Sequence, residues 1–324
     1  LQEGINEAGG MCSWIAAATS YSTNNRIMIP FYVYYSMFGF QRIGDLAWAA
    51  GDMQARGFLL GGTSGRTTLN GEGLQHEDGH SHVLASTIPN CVSYDPTFAH
   101  EVGVIMHHGL KRMVERQENV FYYLTLLNEN YPMPGLNPGT EEQIIKGMYL
   151  LQEGAKKTPR VNLLGSGTIL RESMAAKELL EQDWGVAANV WSCPSFNELA
   201  RDGQDCERWN LLHPSSQPRV PFVTEQLAKH AGPVVASTDY IKSYVDQIRA
   251  FVPKGRTYKV LGTDGFGRSD FRSKLREHFE VNRHYIAVAA LKALAEEGAV
   301  PAGSVGEAIQ KYGINPDKIN PLYA

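Results

Sequence analysis

The amino-acid sequence predicts an α/β fold made of two consecutive domains, and three observations support this prediction. Runs of apolar, β-branched and aromatic residues alternate with segments of helical periodicity, which is typical of parallel strands joined by helices. The length of 324 residues is enough for two domains. Three prolines and two glycines within residues 131–139 interrupt the alternation, because such a stretch continues neither a helix nor a central strand. We place the domain boundary near residue 153, so the predicted domains are residues 1–153 and 154–324.

The first predicted domain begins with a helix near its amino terminus. Met11, Trp14, Ile15 and Ala18 recur at helical spacing and form its apolar face. Apolar runs and helical periodicity then predict further elements in order: a strand at 27–35, a helix at 43–56, a strand at 90–94, a helix from 95 and a strand at 119–127.

The second predicted domain follows a short amphipathic segment at 144–151. Its elements are predicted from the same patterns: strands at 161–164, 186–191, 234–236 and 258–261, and a helix at 169–182. Capping residues predict where two helices start, one in each domain. Asp95 suits an N-cap with Pro96 at the first helical position, and Ser304 with Glu307 forms the pattern of a capping box.

The composition excludes several classes of protein. With 43% hydrophobic and 20% charged residues, the chain is neither disordered nor collagen-like, and its net charge of -4 argues against wide contact with nucleic acid. No segment has the apolar length of a membrane span, and residues 1–4 do not resemble a signal peptide. The four cysteines form no CxxC pair, so we expect a reducing, cytoplasmic location. The start at Leu1 rather than at Met indicates a processed or truncated product.

The densest polar segment is residues 61–82, which hold six glycines and three histidines between predicted elements. A loop of this length in a compact domain is usually functional or disordered. A surface loop with solvated histidines is one interpretation. A zinc site built from His76, His80 and His82 is another, although their spacing matches no established zinc motif.

Two further features have both structural and functional interpretations. Glu3 and Glu7 stand at the start of the first helix, where the helix dipole stabilises any carboxylate. The aromatic run at 31–40 suits a hydrophobic core as well as a binding pocket. The glycine-rich segment 262–267 lacks both the GxGxxG spacing and a following Walker lysine, so it is weak evidence for a phosphate site.

Taken together, these residues resemble a known family, the homodimeric pyruvate dehydrogenases, which are the thiamin-dependent component of the pyruvate dehydrogenase complex. Six strings across the whole chain carry the resemblance: Glu3–Glu7, Phe31–Phe40, Gly71–His80, Asn128–Tyr131, Ala200–Trp209 and Gly262–Asp270. Transketolase shares the architecture but not these strings. The resemblance therefore implies two transketolase-like α/β domains: a pyrimidine-binding domain incomplete at its start, and a carboxy-terminal domain.

The resemblance also implies thiamin diphosphate as cofactor and assigns roles to individual residues. Glu7 would pair with the pyrimidine N1′, Tyr35 and Phe38 would line the pyrimidine pocket, and His76 would face the substrate. Arg42 and Glu72 would lie close to these groups. His80 and His82 would hold the loop through hydrogen bonds.

The family's magnesium motif is not found in this sequence. Such enzymes hold Mg²⁺ and the diphosphate with Gly-Asp-Gly followed by an Asn pair, whereas Asn24-Asn25 has no Gly-Asp-Gly before it. Asp264-Gly265 has no Asn pair after it. The resemblance therefore implies that Mg²⁺ is held by an amino-terminal domain outside this chain, that no residue here is a metal ligand, and that this chain alone is inactive.

The implied reaction is oxidative decarboxylation of pyruvate and reductive acetylation of a lipoyl group. The implied partners are a second copy of the enzyme, its amino-terminal part and the lipoyl domain of the acetyltransferase, with no nucleic acid and no membrane. Three alternatives stay open: another thiamin-dependent 2-oxo acid dehydrogenase, a non-catalytic dimerisation fragment, and a hydrolase that uses the zinc site suggested by the three histidines.

Overall fold

The computed structural model describes residues 2–324 and contains two largely parallel β-sheets, each covered by helices on both faces. Leu1, the first residue of the first predicted domain, lies outside the described residues. The alternation of strands and helices predicted from the sequence is confirmed. Between the sheets, residues 127–140 form no helix or strand, as the prolines and glycines predict.

The first sheet has four parallel strands in the order β1-β2-β4-β3. They are β1 (Phe31–Tyr34), β2 (Phe58–Gly62), β3 (Cys91–Tyr94) and β4 (Phe121–Leu126). The helices around this sheet are α1 (Glu7–Ala18), α2 (Ser20–Thr23), α3 (Phe38–Asp52), α4 (Ser81–Ser86), α5 (Ala99–Leu110), which ends in a π-helical turn, and α6 (Glu141–Lys146). Strands buried on both faces explain the continuous apolar runs of β2 and β4.

Helix α1 is fixed at both its start and its middle. The Asn6 side chain accepts a 3.0 Å hydrogen bond from the Gly9 amide and caps the helix. Met11, Trp14 and Ala18 are buried, as the apolar spacing predicts. The Trp14 indole N–H donates at 3.1 Å to the carbonyl of Phe58, at the start of β2. The first turn of α1 is therefore held at a defined position beside the sheet.

The second sheet has five strands in the order β5-β7-β6-β8-β9, and only β5 is antiparallel to its neighbour. The strands are β5 (Tyr149–Gln152), β6 (Arg160–Gly165), β7 (Ala187–Ser192), β8 (Val234–Ser237) and β9 (Tyr258–Leu261). Its helices are α7 (Ile169–Asp183), α8 (Phe196–Leu212), α9 (Phe222–Ala228), α10 (Lys242–Asp246), α11 (Arg272–His278), α12 (Arg283–Glu296) and α13 (Gly303–Lys311). Within residues 2–324, no helix is both long enough and apolar enough to cross a bilayer.

The division between the two sheets lies a few residues before the predicted boundary at 153. Strand β5 pairs with β7, with Tyr149 opposite Ser192 and Leu150 opposite Trp191. The segment at 144–151 therefore holds the end of α6 and most of the first strand of the second sheet. The amphipathic pattern of this segment arises because a short helix and a short strand follow each other within it.

Both predicted caps are wrong. The Asp95 side chain accepts 2.7 Å hydrogen bonds from the hydroxyls of Thr125 and Ser166, because it is buried between the two domains. Helix α5 begins at Ala99 instead, and Glu101 caps it by accepting from the amide of Phe98 at 3.1 Å.

The second predicted cap, Ser304, lies inside α13, which starts at Gly303 without a side-chain cap. The predicted helix at 43–56 begins earlier, at Phe38, which places Phe38 and Arg42 on one helix. The predicted strand at 27–35 is limited to the four residues of β1.

A buried polar interface joins the two domains through the loop at 61–82. Asp239, just after β8, accepts hydrogen bonds from the amide and hydroxyl of Thr67 at 2.8 and 2.6 Å. It also accepts from the hydroxyl of Thr68 at 2.6 Å. Nη1 of the buried Arg66 donates to the carbonyls of Thr263 and Gly265 at 2.6 and 2.5 Å. The glycine-rich loop of the first domain is therefore held by the second.

Candidate active site

A cleft of about 780 Å³ opens where β1 ends, between the start of α1 and the start of α3. Loops that follow parallel strands commonly form ligand sites in α/β folds. The lining includes Glu7, Tyr35, Phe38, Arg42 and His76. The structure therefore brings together, in one cleft, three distant parts of the sequence: Glu7, the segment 35–42 and His76.

Glu7 stands in the first turn of α1, and 17% of its side chain is exposed. Its Oε1 accepts a 2.8 Å hydrogen bond from Nη1 of Arg42 on α3. This hydrogen bond fixes the orientation of the Glu7 carboxylate in the cleft. The hydroxyl of Tyr32 donates to the Glu7 carbonyl at 3.3 Å and supports the same turn.

Three rings form one wall of the cleft. The ring centre of Phe38 lies 5.1 Å from that of His76 in an edge-to-face arrangement, and the ring of Tyr35 lies 5.6 Å from that of His76. The Arg42 guanidinium lies 4.2 Å from the centre of the Phe38 ring. Tyr35 is 49% exposed, so part of this apolar wall faces open space. Such a wall suits a flat heteroaromatic ring.

His76 ends a short 3-10 turn, Leu74–His76, in the glycine-rich loop. Its Nδ1 lies 3.2 Å from a carboxylate oxygen of Glu72, but without hydrogen-bond geometry, so the nitrogen has no partner within residues 2–324. Glu72 is thus beside His76, as expected. An imidazole that lines a cleft can donate a hydrogen bond to a bound ligand.

The other two histidines of the loop do not join His76. His80 contacts the side-chain amide of Gln41, and the buried His82 lies 3.1 Å from the hydroxyl of Thr125. Both thus make hydrogen bonds that hold the loop. No group of three metal-binding side chains exists among residues 2–324. The zinc site considered from the sequence is therefore wrong, because the three imidazoles point to different neighbours.

The sequence did not indicate a second set of polar residues directly behind the cleft. Glu77 follows His76, is fully buried, and accepts a 2.6 Å hydrogen bond from the backbone amide of Arg268. Burial raises the pKa of Glu77 to about 8 against the lowering effects of the Arg268 amide and the Arg66 guanidinium. Only the three-dimensional arrangement reveals this contact, because 191 residues separate the partners.

Asp95 is a second buried carboxyl at the domain interface. Burial raises its pKa to about 7, although the hydroxyls of Thr125 and Ser166 act in the opposite direction. Its hydrogen bond with Ser166 crosses from the first domain to the second. We assign Asp95 to the interface rather than to the cleft.

Family models and solved structures match both domains. Residues 1–134 match the model of the pyruvate dehydrogenase E1 component middle domain, and residues 147–282 match the transketolase-like C-terminal domain. Transketolase from Leishmania mexicana superposes with a TM-score of 0.66 at 16% identity, over 92% of this chain and 38% of its own. A structure described as a split gene transketolase, inactive beta4 tetramer, has a TM-score of 0.63 at 17% identity, over 90% and 83%. The fold and the cleft define a two-domain protein of the transketolase-like class.

Sequence comparison is more specific than the fold. The pyruvate dehydrogenase E1 component of Cupriavidus necator is 63% identical across 99% of this chain, and that of Escherichia coli K12 is 63% identical across 100%. This chain is therefore homologous over its whole length to pyruvate dehydrogenase E1 components, which confirms the resemblance noted in the sequence. It spans 36% of the length of these two curated relatives.

Proposed function

We propose that this chain forms the pyrimidine-binding and carboxy-terminal part of an enzyme that decarboxylates pyruvate oxidatively and transfers the acetyl group to a lipoyl group. The observation that supports this proposal is the cleft in which Glu7, held by Arg42, faces an aromatic wall of Tyr35, Phe38 and His76. The names of the relatives support the choice of reaction.

The chemistry of the cleft fits the aminopyrimidine end of thiamin diphosphate. When bound, this cofactor supplies the thiazolium carbanion that acts on the oxo group of the substrate. Glu7 would hold a proton shared with the pyrimidine N1′, while Tyr35 and Phe38 would enclose the ring. Oε1 of Glu7 is already bonded to Arg42, which orients the carboxylate.

His76 would act on the substrate rather than on the cofactor. The His76 ring lines the cleft beside Tyr35 and Phe38, where it could bind the pyruvate carboxylate or donate to an oxygen that becomes negative. A carboxylate oxygen of Glu72 lies 3.2 Å from the buried Nδ1 and fixes the orientation of the imidazole. Both features support a role in binding and protonation.

The chain offers less to the diphosphate end of the cofactor. Arg42 is the one lysine or arginine among the described residues that line the cleft, and Glu7 opposes its charge. Mg²⁺ requires several oxygen ligands in nearly octahedral geometry. We therefore propose that an amino-terminal domain supplies the Mg²⁺ and diphosphate ligands, and that this chain alone is inactive.

We further propose a homodimer that meets the lipoyl domain of the acetyltransferase in the cytoplasm. In a two-fold dimer, a cleft completed by a second subunit would occur twice. The four cysteines are free, which is consistent with a reducing compartment.

The direct test uses the full-length enzyme with thiamin diphosphate, Mg²⁺ and an isolated lipoyl domain. We expect acetylation of the lipoyl domain with pyruvate and much less acylation with 2-oxoglutarate. Preference for 2-oxoglutarate would favour the other thiamin-dependent dehydrogenases. No reaction with either acid would favour the non-catalytic alternative.

A calorimetric titration of the 324-residue chain with thiamin diphosphate and Mg²⁺ tests the division of the cofactor site. We expect no tight binding, because the diphosphate ligands would be missing. Micromolar binding or turnover of pyruvate by this chain alone would contradict the proposed division.

A further inference from the structure

The turn that carries His76 lies against a loop of the second domain, residues 262–268, which follows β9. Oε2 of Glu77 accepts a 2.6 Å hydrogen bond from the amide of Arg268. Glu77 also closes the turn through its own amide, which donates to the Leu74 carbonyl at 3.3 Å. The residue next to His76 is thus bonded to both the turn and the second domain.

Gly267 permits this close approach. A Cβ atom at this position would lie 2.3 Å from the carbonyl oxygen of Leu74 and 3.0 Å from Oε2 of Glu77. The nearest obstacle is backbone, which cannot move as a flexible side chain does. Any larger residue would therefore push the turn at 74–76 away from the loop.

Arg66 joins the same two segments from the other side. It is 4% exposed, and its Nη1 donates to the carbonyls of Thr263 and Gly265 in the loop. Its Nε donates at 3.3 Å to the carbonyl of Glu77. The guanidinium therefore bonds both to the loop and to the residue that follows His76.

We propose that Glu77 is a positioning residue for His76, and that loop 262–268 of the second domain thereby sets the place of the imidazole in the cleft. This inference rests on the proposed function of His76. It gives the second domain a part in the active site in addition to any role in association.

The contacts of Glu77 determine which side chains could replace it. The carboxyl is buried, and Oε1 has no hydrogen-bond partner within residues 2–324. A neutral glutamine has the same length and retains an acceptor for the Arg268 amide. Aspartate is shorter by one methylene and alanine has no acceptor, so both lose the contact.

The test uses full-length enzyme carrying Glu77→Ala, Glu77→Asp or Glu77→Gln, with Glu115→Ala as a matched control, because Glu115 is exposed and far from the cleft in sequence. Glu77→Ala and Glu77→Asp should lower kcat with pyruvate by roughly 10- to 100-fold, since misplacing a catalytic group by about 1 Å has effects of that order. The affinity for thiamin diphosphate should change little. Glu77→Gln should restore wild-type kcat.

A second measurement does not depend on activity. Hydrogen exchange of residues 71–80 and 262–268 should become faster in Glu77→Ala and in Gly267→Ala. It should stay unchanged in Gly306→Ala, because a Cβ there meets nothing within 4 Å.

The proposal would be overturned if Glu77→Ala had the kcat and the hydrogen-exchange rates of wild type. It would also be overturned if Glu77→Gln lowered kcat as much as Glu77→Ala does. If wild-type enzyme failed to use pyruvate, the proposed function would be lost, whereas the exchange data would still decide the contact between turn and loop. If Glu77→Ala does not fold, Glu77→Asp and Gly267→Ala carry the same comparison.

Discussion

Arg42 Nη1 donates a 2.8 Å hydrogen bond to Oε1 of Glu7, although 35 residues separate them in sequence. The contact exists because α1 and α3 pack side by side and each presents one charged residue to the same cleft. The Arg42 side chain is 50% exposed, whereas that of Glu7 is 17% exposed. Arg42 is thus placed to orient the carboxylate more than to stabilise the fold.

Replacing Arg42 by Met should separate these two effects. The free energy of unfolding should change by less than about 1 kcal/mol, because half-exposed ion pairs contribute little. Turnover of pyruvate by the full-length enzyme should fall several-fold, since Glu7 loses the group that orients it. Thermal unfolding and steady-state kinetics on one preparation check both parts. An unchanged kcat would show that the ion pair does not assist Glu7.

His76→Ala should impair the use of pyruvate and spare the cofactor. We expect kcat/KM for pyruvate to fall by roughly 100-fold or more, the usual range for loss of a proton donor. The affinity for thiamin diphosphate should stay near the wild-type value. His107→Ala on α5 is a suitable control, because no catalytic role is assigned to it. A large loss of cofactor affinity with normal kcat would instead assign His76 to cofactor binding.

Glu77 should make stability fall as the pH rises. Burial, assisted by the charge of Asp239, raises its folded-state pKa from the ordinary value of 4.5 to about 8, although Arg66 and Arg268 lower it. Between these two pH values the folded protein retains a proton that the unfolded chain releases, so unfolding is favoured progressively. Glutamine cannot titrate. The thermal midpoint of wild type should therefore fall relative to that of Glu77→Gln between about pH 5 and 8.

The thermal midpoints of wild type and Glu77→Gln, measured at four or five pH values, show whether the pKa of Glu77 is raised in the folded protein. A difference between wild type and Glu77→Gln that stays constant from acid to alkaline pH would mean that Glu77 titrates normally. A wild-type midpoint that instead rises relative to that of Glu77→Gln as the pH rises would mean that the folded protein prefers the charged carboxylate.

Glu129 joins the segment between the sheets to the second domain. Its two oxygens accept hydrogen bonds from Nη1 of Arg171 at 2.6 Å and from Nη2 of Arg276 at 2.5 Å. The Arg276 side chain is 8% exposed, so removing its partner leaves a buried charge, while Glu172 lies 3.6 Å away and compensates in part.

We expect Glu129→Ala to lower the free energy of unfolding by about 2–3 kcal/mol, somewhat below the roughly 3–5 kcal/mol typical of breaking a fully buried pair. Denaturant unfolding would measure it. Glu225→Ala, which breaks an exposed pair with Lys229, should change stability by less than about 1 kcal/mol. Equal effects of the two substitutions would contradict the assignment of Glu129 to a buried ion pair.

Much of the order of strands and helices was predictable because it depends on local patterns, although the strands β2 and β5 were not predicted. Tyr258 to Leu261 is the strand that its apolar run predicts, and the helix at Ile169 starts where expected. The cap predicted at Asp95 failed for a reason that is not local. Asp95 has the sequence context of an N-cap, but burial between domains gives it hydroxyl partners that the sequence does not reveal.

The residues of the cleft were predictable from the family resemblance, whereas Glu77 behind it was not. The resemblance to the pyruvate dehydrogenase family selected Glu7, Tyr35, Phe38, Arg42 and His76, and the structure places all five in one cleft. Their roles remain predictions. Glu77 gave no sequence signal, because an acidic residue in a polar loop is usually exposed. Its burial depends on a partner in the second domain.

The most direct test of the account is the turnover of full-length enzyme carrying Glu7→Gln, measured with pyruvate at saturating thiamin diphosphate and Mg²⁺. Glutamine keeps the size of the side chain but cannot share a proton with the pyrimidine ring. We predict an unchanged fold and a kcat that is lower by about a hundredfold or more, as expected for loss of a proton-relay group. A Glu7→Gln enzyme with wild-type kcat would contradict the assignment of this cleft to the cofactor.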